Sequence, residues 1–225
     1  MDGQLGQELA GLEVLADPTR RRLYTYVAGK QEAVGRDETA EQLGLPRHVV
    51  KFHLDRLVDG GLLVTEYRRL TGRTGPGAGR PSKLYRRAPG EISVSVPPRR
   101  YALLAEVLAQ AVERTQIGEE QLPAAVEAAA RSAGAHLADD GPSGDVVDRL
   151  ASLGYEPRAD AVRVELANCP FHQLAAAHRA LVCGMNLALV EGLLLALPST
   201  GSTARLEPAA GRCCVVVDLP AGRSS

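Results

Sequence analysis

Residues 37 to 87 constrain the fold more than any other stretch. Asp37 to Leu43 is predicted helical, Gly44-Leu45-Pro46 is a tight turn, and Arg47 to Asp59 is a second helix that Gly60-Gly61 ends. Within that second helix Val50, Leu54, Leu57 and Val58 recur at helical spacing and are expected to face a core. Arg47, His48, Lys51, Phe52 and Arg56 are left on other faces. Leu62 to Tyr67 then reads as a strand and Ser82 to Arg87 as its partner. From the end of the first strand through the second, Arg68, Arg69, Arg73, Arg80, Lys83, Arg86 and Arg87 occur with no acidic residue, threaded through Gly72, Gly75, Pro76, Gly77, Gly79 and Pro81. Such a loop has nothing to bury and charge to display.

Helix, tight turn and second helix is the arrangement that lays its second helix in a DNA major groove. The cationic loop beside it suits a phosphate backbone. The expected fold is therefore α+β: an N-terminal winged helix-turn-helix joined to an α+β C-terminal sensor and dimerisation domain. The residues expected to touch DNA are Arg47, His48, Lys51, Phe52 and Arg56 from the helix, and Arg68, Arg69, Arg73, Arg80 and Lys83 from the wing. Arg80 precedes Pro81, which stiffens the wing locally, so Arg80 is the candidate for a minor-groove or backbone contact. His53 is read as a packed helix residue. One winged helix covers little DNA, so a homodimer on a palindromic double-stranded operator is expected.

Charge divides the chain in the same way. Residues 1–100 hold 17 Lys and Arg against 12 Asp and Glu; residues 101–225 hold 9 against 15. A basic first half and an acidic second half point to a nucleic-acid module joined to a different one. The domains are expected at 1–96 and 97–225, with Pro97-Pro98 at the junction. Aromatic residues make up only 4% and Trp is absent, so Leu, Val and Ala must fill the core, mainly between helices.

Upstream, Leu12 to Val27 reads as helix interrupted at Asp17-Pro18-Thr19, with Asp17 as N-cap and Pro18 at the start of a new helix. Arg20, Arg21 and Arg22 fall in its first turns, a poor place for cations on an isolated helix. Downstream, helices are expected at Arg99 to Arg114, Glu119 to Ala138 and Val146 to Leu153, with Pro170 to Leu197 largely helical. Strands are expected at Ala161 to Leu166, with Val162, Val164 and Leu166 inward, and at Thr203 to Leu206 and Cys213 to Leu219. The apolar face of Arg99 to Arg114 is broad enough to add a dimer contact. The longest apolar run, Leu187 to Leu197, is broken by Glu191 and too short to span a bilayer. The N-terminus is acidic and polar, unlike a signal peptide. No membrane association and a cytoplasmic, reducing location are expected, where structural disulfides are rare.

Specific motifs resemble a known family. Ala16-Asp17-Pro18-Thr19-Arg20 is similar to the opening of ArsR-type winged-helix regulators. Phe52-His53-Leu54-Asp55-Arg56-Leu57 with Gly60-Gly61-Leu62-Leu63 resembles their recognition helix and its exit. Gly79-Arg80-Pro81-Ser82-Lys83-Leu84-Tyr85 resembles the wing of the branch containing the iron–sulfur regulator SufR. In the second half, Asn168-Cys169-Pro170-Phe171-His172, Cys183-Gly184-Met185-Asn186 and Gly211-Arg212-Cys213-Cys214-Val215 look like the SufR C-terminal half. The resemblance implies that three or four of Cys169, Cys183, Cys213 and Cys214 hold an iron–sulfur cluster, 2Fe-2S or 4Fe-4S, that controls DNA binding.

The residues themselves set conditions on such a site. All four cysteines lie beyond residue 168, in the half that does not touch DNA. Adjacent strand residues point to opposite faces, so Cys213 and Cys214 converge on one group only if a bulge or turn intervenes. Unbroken helix would hold Cys169 and Cys183 about 21 Å apart, so a break is expected between Ala177 and Cys183. Cys169 precedes Pro170 at an expected helix N-terminus, where the dipole favours thiolate. His172 is a possible further ligand; His178 is less suited. Zinc, a metalloid, thiol redox chemistry or a small-molecule effector bound beside Leu187 to Leu197 are the alternatives. An enzyme is not expected: Cys169 with His172 or His178 lacks the spacing of a nucleophile and base, and no oxyanion-hole motif accompanies them.

Overall fold

The computed structural model describes residues 2–69, 81–116, 118, 121–139, 145–198 and 201–220. The chain divides into two compact units, Met1–Val94 and Ser95–Ser225. Helix and strand content is mixed in both, an α+β composition.

The N-terminal unit runs α1 (Asp2–Val14), α2 (Pro18–Ala28), β1 (Val34–Gly35), α3 (Arg36–Leu43), α4 (Arg47–Asp59), β2 (Leu63–Arg68) and β3 (Ser82–Arg87). Asp17 caps α2, its carboxylate accepting from the Arg20 amide at 3.0 Å, with Pro18 in the first turn. The arginines behind it have partners across the turn. Arg20 donates to the Val14 carbonyl, and Arg21 to those of Leu15 and Ala16 at 2.8 and 2.9 Å. Cations thus sit on the carbonyl end of α1, where its dipole favours them.

Asp37 and Glu38 stand in the first turn of α3, the favourable end for carboxylates. Gly44 stops α3 in left-handed backbone (φ 63°), and the Leu45 amide reaches back to Ala40 at 3.0 Å. Val50, Leu54 and Leu57 of α4 are fully buried against Leu23 and Val27 of α2 and Leu63 of β2. The small sheet has the order β1-β3-β2, wholly antiparallel, with Thr65 opposite Tyr85 and Tyr67 opposite Lys83. The two-residue β1 is too short to leave a periodic signal.

The C-terminal unit contains α5 (Tyr101–Gln116), α6 (Leu122–Asp139), α7 (Val146–Ser152), β4 (Pro157–Ala159), β5 (Arg163–Leu166), α8 (His172–Ala177), α9 (Arg179–Ala196), β6 (Thr203–Leu206) and β7 (Val215–Asp218). Its antiparallel sheet has the order β4-β5-β7-β6. Val164, Leu166, Val215 and Val217 are fully buried. Val162, expected inward, precedes β5 and is exposed, while the Leu219 amide donates to its carbonyl.

α6 and α9 cross with backbones in contact. A Cβ on Gly134 would lie 1.9 Å from the Leu189 carbonyl oxygen, and one on Gly192 2.0 Å from that of Arg131. Only hydrogen fits at either place. α9 is long and apolar enough to cross a membrane by length and composition, but most of it is buried in this unit. Glu191, which interrupts its apolar run, pairs with Arg131 at 2.5 Å.

Candidate functional site

On α4 the side chains opposite the buried face form an exposed stripe of His48, Lys51, Phe52 and Arg56. Arg47, at the first position of α4, lies 3.6 Å from Asp37 and is mostly exposed. Arg56 sits in the last turn, the end of a helix that favours a cation. Arg69 is exposed just past β2. Arg68 is drawn to Glu32 at 3.3 Å and Glu66 at 3.9 Å. Arg73 and Arg80 lie outside the described residues.

Lys83 is placed differently from a free wing cation. Its ammonium donates to Asp55 Oδ1 at 2.7 Å, and the Tyr85 hydroxyl donates to the same oxygen at 3.1 Å. Lys51 approaches the other carboxylate oxygen at 3.3 Å. Asp55 therefore fastens β3 to α4. Burial pulls its carboxyl upward, but hydrogen bonds from Lys83, Tyr85 and Lys51 outweigh that and hold it below its ordinary value. A signal for this anchor was present: Lys51 and Asp55 are four apart on a helix, and Lys83 and Tyr85 share one strand face.

In the C-terminal unit three separated segments bring all four cysteines onto one cavity of about 620 Å³, which Arg99, His172, Arg179 and Arg212 also line. Cys169 follows β5, Cys183 lies on α9, and Cys213 and Cys214 precede β7. The helix break needed to bring Cys183 back falls at His178, whose backbone (φ −130°, ψ 51°) separates α8 from α9. The expectation that Cys213 begins a strand is corrected. β7 starts at Val215, and the pair lies in irregular backbone between the turn at Gly211 (φ 78°) and that strand, so strand alternation does not send them to opposite faces.

The expectation of a thiolate at Cys169 is also corrected. α8 starts three residues later and has only six residues. The thiol hydrogen-bonds to Cys213 and is buried, and both effects push its pKa well above the ordinary value. At Cys213 the bond to Cys169 pulls down while the bond to Cys214 and burial push up, leaving it at about 11.

A polar scaffold fixes these sulfurs. Arg99 donates to Asn168 Oδ1 at 2.6 Å and to the Cys169 carbonyl at 3.2 Å. Asn168 in turn donates to the Gly154 carbonyl at 2.6 Å. The Cys213 amide donates to the Leu166 carbonyl at 2.8 Å. Asn186, fully buried and one turn past Cys183, donates to Cys213 Sγ at 3.3 Å. The Tyr155 hydroxyl donates to Asn186 Oδ1 at 2.5 Å, which sets the amide orientation. Burial, and then the neighbouring cysteines, raise the phenol well above its ordinary pKa and keep its proton in place.

Four thiols and open space suit a thiophilic group, and the amide aimed at Cys213 is the kind of outer contact such sites use. Among the described residues, no three His, Cys, Asp or Glu side chains are already close enough to share a single metal ion. His172 lines the cavity at the start of α8, whereas His178 does not.

Residues 15–66, about a quarter of the chain, match a helix-turn-helix domain family. No curated protein and no solved structure matches the chain. The matched segment spans α2 to α4 and most of β2, the elements that build the exposed α4 stripe. The N-terminal unit is thus a winged helix-turn-helix, the module of DNA-binding regulators.

Proposed function

We propose that the chain is a homodimeric transcription regulator of SufR-like type. Its winged helix binds a palindromic operator in the cytoplasm, and its C-terminal cysteines hold an iron–sulfur cluster that alters operator affinity. The observation that carries this reading is the meeting of Cys169, Cys183, Cys213 and Cys214, from three distant segments, on one cavity. These cysteines would hold the cluster; when bound, it supplies sensitivity to oxygen and to iron supply. Arg99 and Asn168 would keep the Cys169 backbone in place, and Asn186 would donate to Cys213. Because burial and thiol hydrogen bonding raise the pKa of Cys169 and Cys213, ligation by these two releases protons and is favoured by rising pH.

Switching follows if the loaded and empty forms differ in the spacing they allow two recognition helices. A second reading, thiol-redox sensing without a cluster, is favoured by the hydrogen bond between the Cys169 and Cys213 thiols. Anaerobic purification with iron, sulfide and zinc analysis separates the two. The cluster reading requires iron and sulfide in the wild type, visible absorbance that oxygen bleaches, and iron loss in Cys169→Ser, Cys183→Ser and Cys213→Ser. Iron-free protein with a Cys169–Cys213 disulfide after peroxide treatment would replace it with the second.

A further inference from the structure

We propose that Phe52 is the specificity-determining residue of α4 and that it reads a thymine methyl group in each operator half-site. The inference rests on the DNA reading above. Of the apolar residues of α4, Val50, Leu54 and Leu57 are fully buried and Val49 and Val58 are half-buried. Phe52 is 57% exposed. A single exposed apolar side chain is ordinary on a protein surface; the position of this one is not. His48 lies one turn before it, Arg56 one turn after it and Lys51 beside it, all exposed. The one apolar group on this face therefore sits in the middle of its polar stripe. It is also the sixth residue of the helix, in the N-terminal half that reaches base edges when a recognition helix docks.

The Phe52 ring meets the His53 ring edge-on, with centroids 5.2 Å apart and planes at 70°. A phenyl group has neither donor nor acceptor, so it cannot read the hydrogen-bond pattern of a base edge. What the major groove offers it is the 5-methyl group of thymine, the apolar feature that distinguishes one base there. The surrounding cations serve phosphates and guanine edges, and Phe52 adds the thymine requirement.

The test uses the full-length chain. Duplexes are selected from a randomised pool, and each dT of the selected site is replaced in turn by deoxyuridine, which removes only the methyl. One position per half-site is expected at which replacement weakens wild-type binding about fourfold, the worth of one buried methyl. In Phe52→Ala the same replacement has no effect, although the duplex is still bound at low salt. Phe52→Leu, which keeps an apolar group, retains part of the preference. Because the side chain is exposed, the variants melt like the wild type. Indifference of the wild type to every replacement, or undiminished methyl sensitivity in Phe52→Ala, overturns the inference while DNA binding stands. Failure of the wild type to select any duplex overturns the DNA reading, and the inference with it.

Discussion

Asp55 is where the polar chemistry of the N-terminal unit converges. One half-buried carboxylate takes Lys83, Tyr85 and Lys51 together, so removing it strands the hydroxyl of buried Tyr85 and unpairs two lysines. Asp55→Ala is expected to cost about 1–3 kcal/mol in urea unfolding of the full chain. The sign of the pH effect follows from its lowered pKa. The contribution is complete above the ordinary carboxylate pKa of about 3.9 and disappears as pH falls through the lower folded value. Wild-type stability should therefore drop below about pH 4, and Asp55→Asn should flatten part of that drop. Arg20 and Arg21 show the limit of local reading at this scale. Beside α2 they look misplaced; the carbonyls they serve are those of Val14, which ends α1, and of Leu15 and Ala16 in the turn after it.

At the scale of elements, the crossing of α6 and α9 organises the C-terminal unit. A composition poor in aromatics leaves Leu, Val and Ala to fill the core between helices, and at this crossing two glycines bring the backbones into contact. Gly134→Ala and Gly192→Ala each drive a methyl into a backbone carbonyl that cannot rotate away. Either is expected to cost at least the upper end of the usual 1–3 kcal/mol for overpacking, about 3 kcal/mol. Gly184 lies on the same α9 with open space around its Cβ position. Gly184→Ala should instead stabilise by about 0.5–1 kcal/mol through helix propensity. Thermal melts of the three variants decide the matter, and equal effects would refute the close crossing. Which glycines are packed and which are free was not legible in the chain, because both kinds stand in the same apolar pattern.

For the molecule as a whole, DNA affinity should depend steeply on salt, since phosphate contacts release counterions. Arg56→Ala is expected to lower the slope of log K against log salt by about one for each protomer bound. Lys83→Ala should change the slope less and stability more, because Asp55 already neutralises that ammonium. Titrations of both variants between 50 and 200 mM salt, on one duplex, provide the comparison. A larger slope change for Lys83→Ala would show that the ion pair opens on binding.

Helices with a full apolar face, such as Arg47–Asp59, and strands with a clear partner, such as Ser82–Arg87, could be delimited from the chain because burial imposes its period on local sequence. The turn at Gly44 and the cap at Asp17 were legible for a similar reason: each is a local demand on backbone conformation or on an unpaired amide. Tertiary structure decided which cavity the four cysteines line, that burial and the Cys213 thiol raise the Cys169 pKa, and that Lys83 and Tyr85 of β3 meet on Asp55 of α4. Each depends on groups far apart in the chain, and the free energy of a thiol or an ammonium is set by what folding brings within a few ångströms of it.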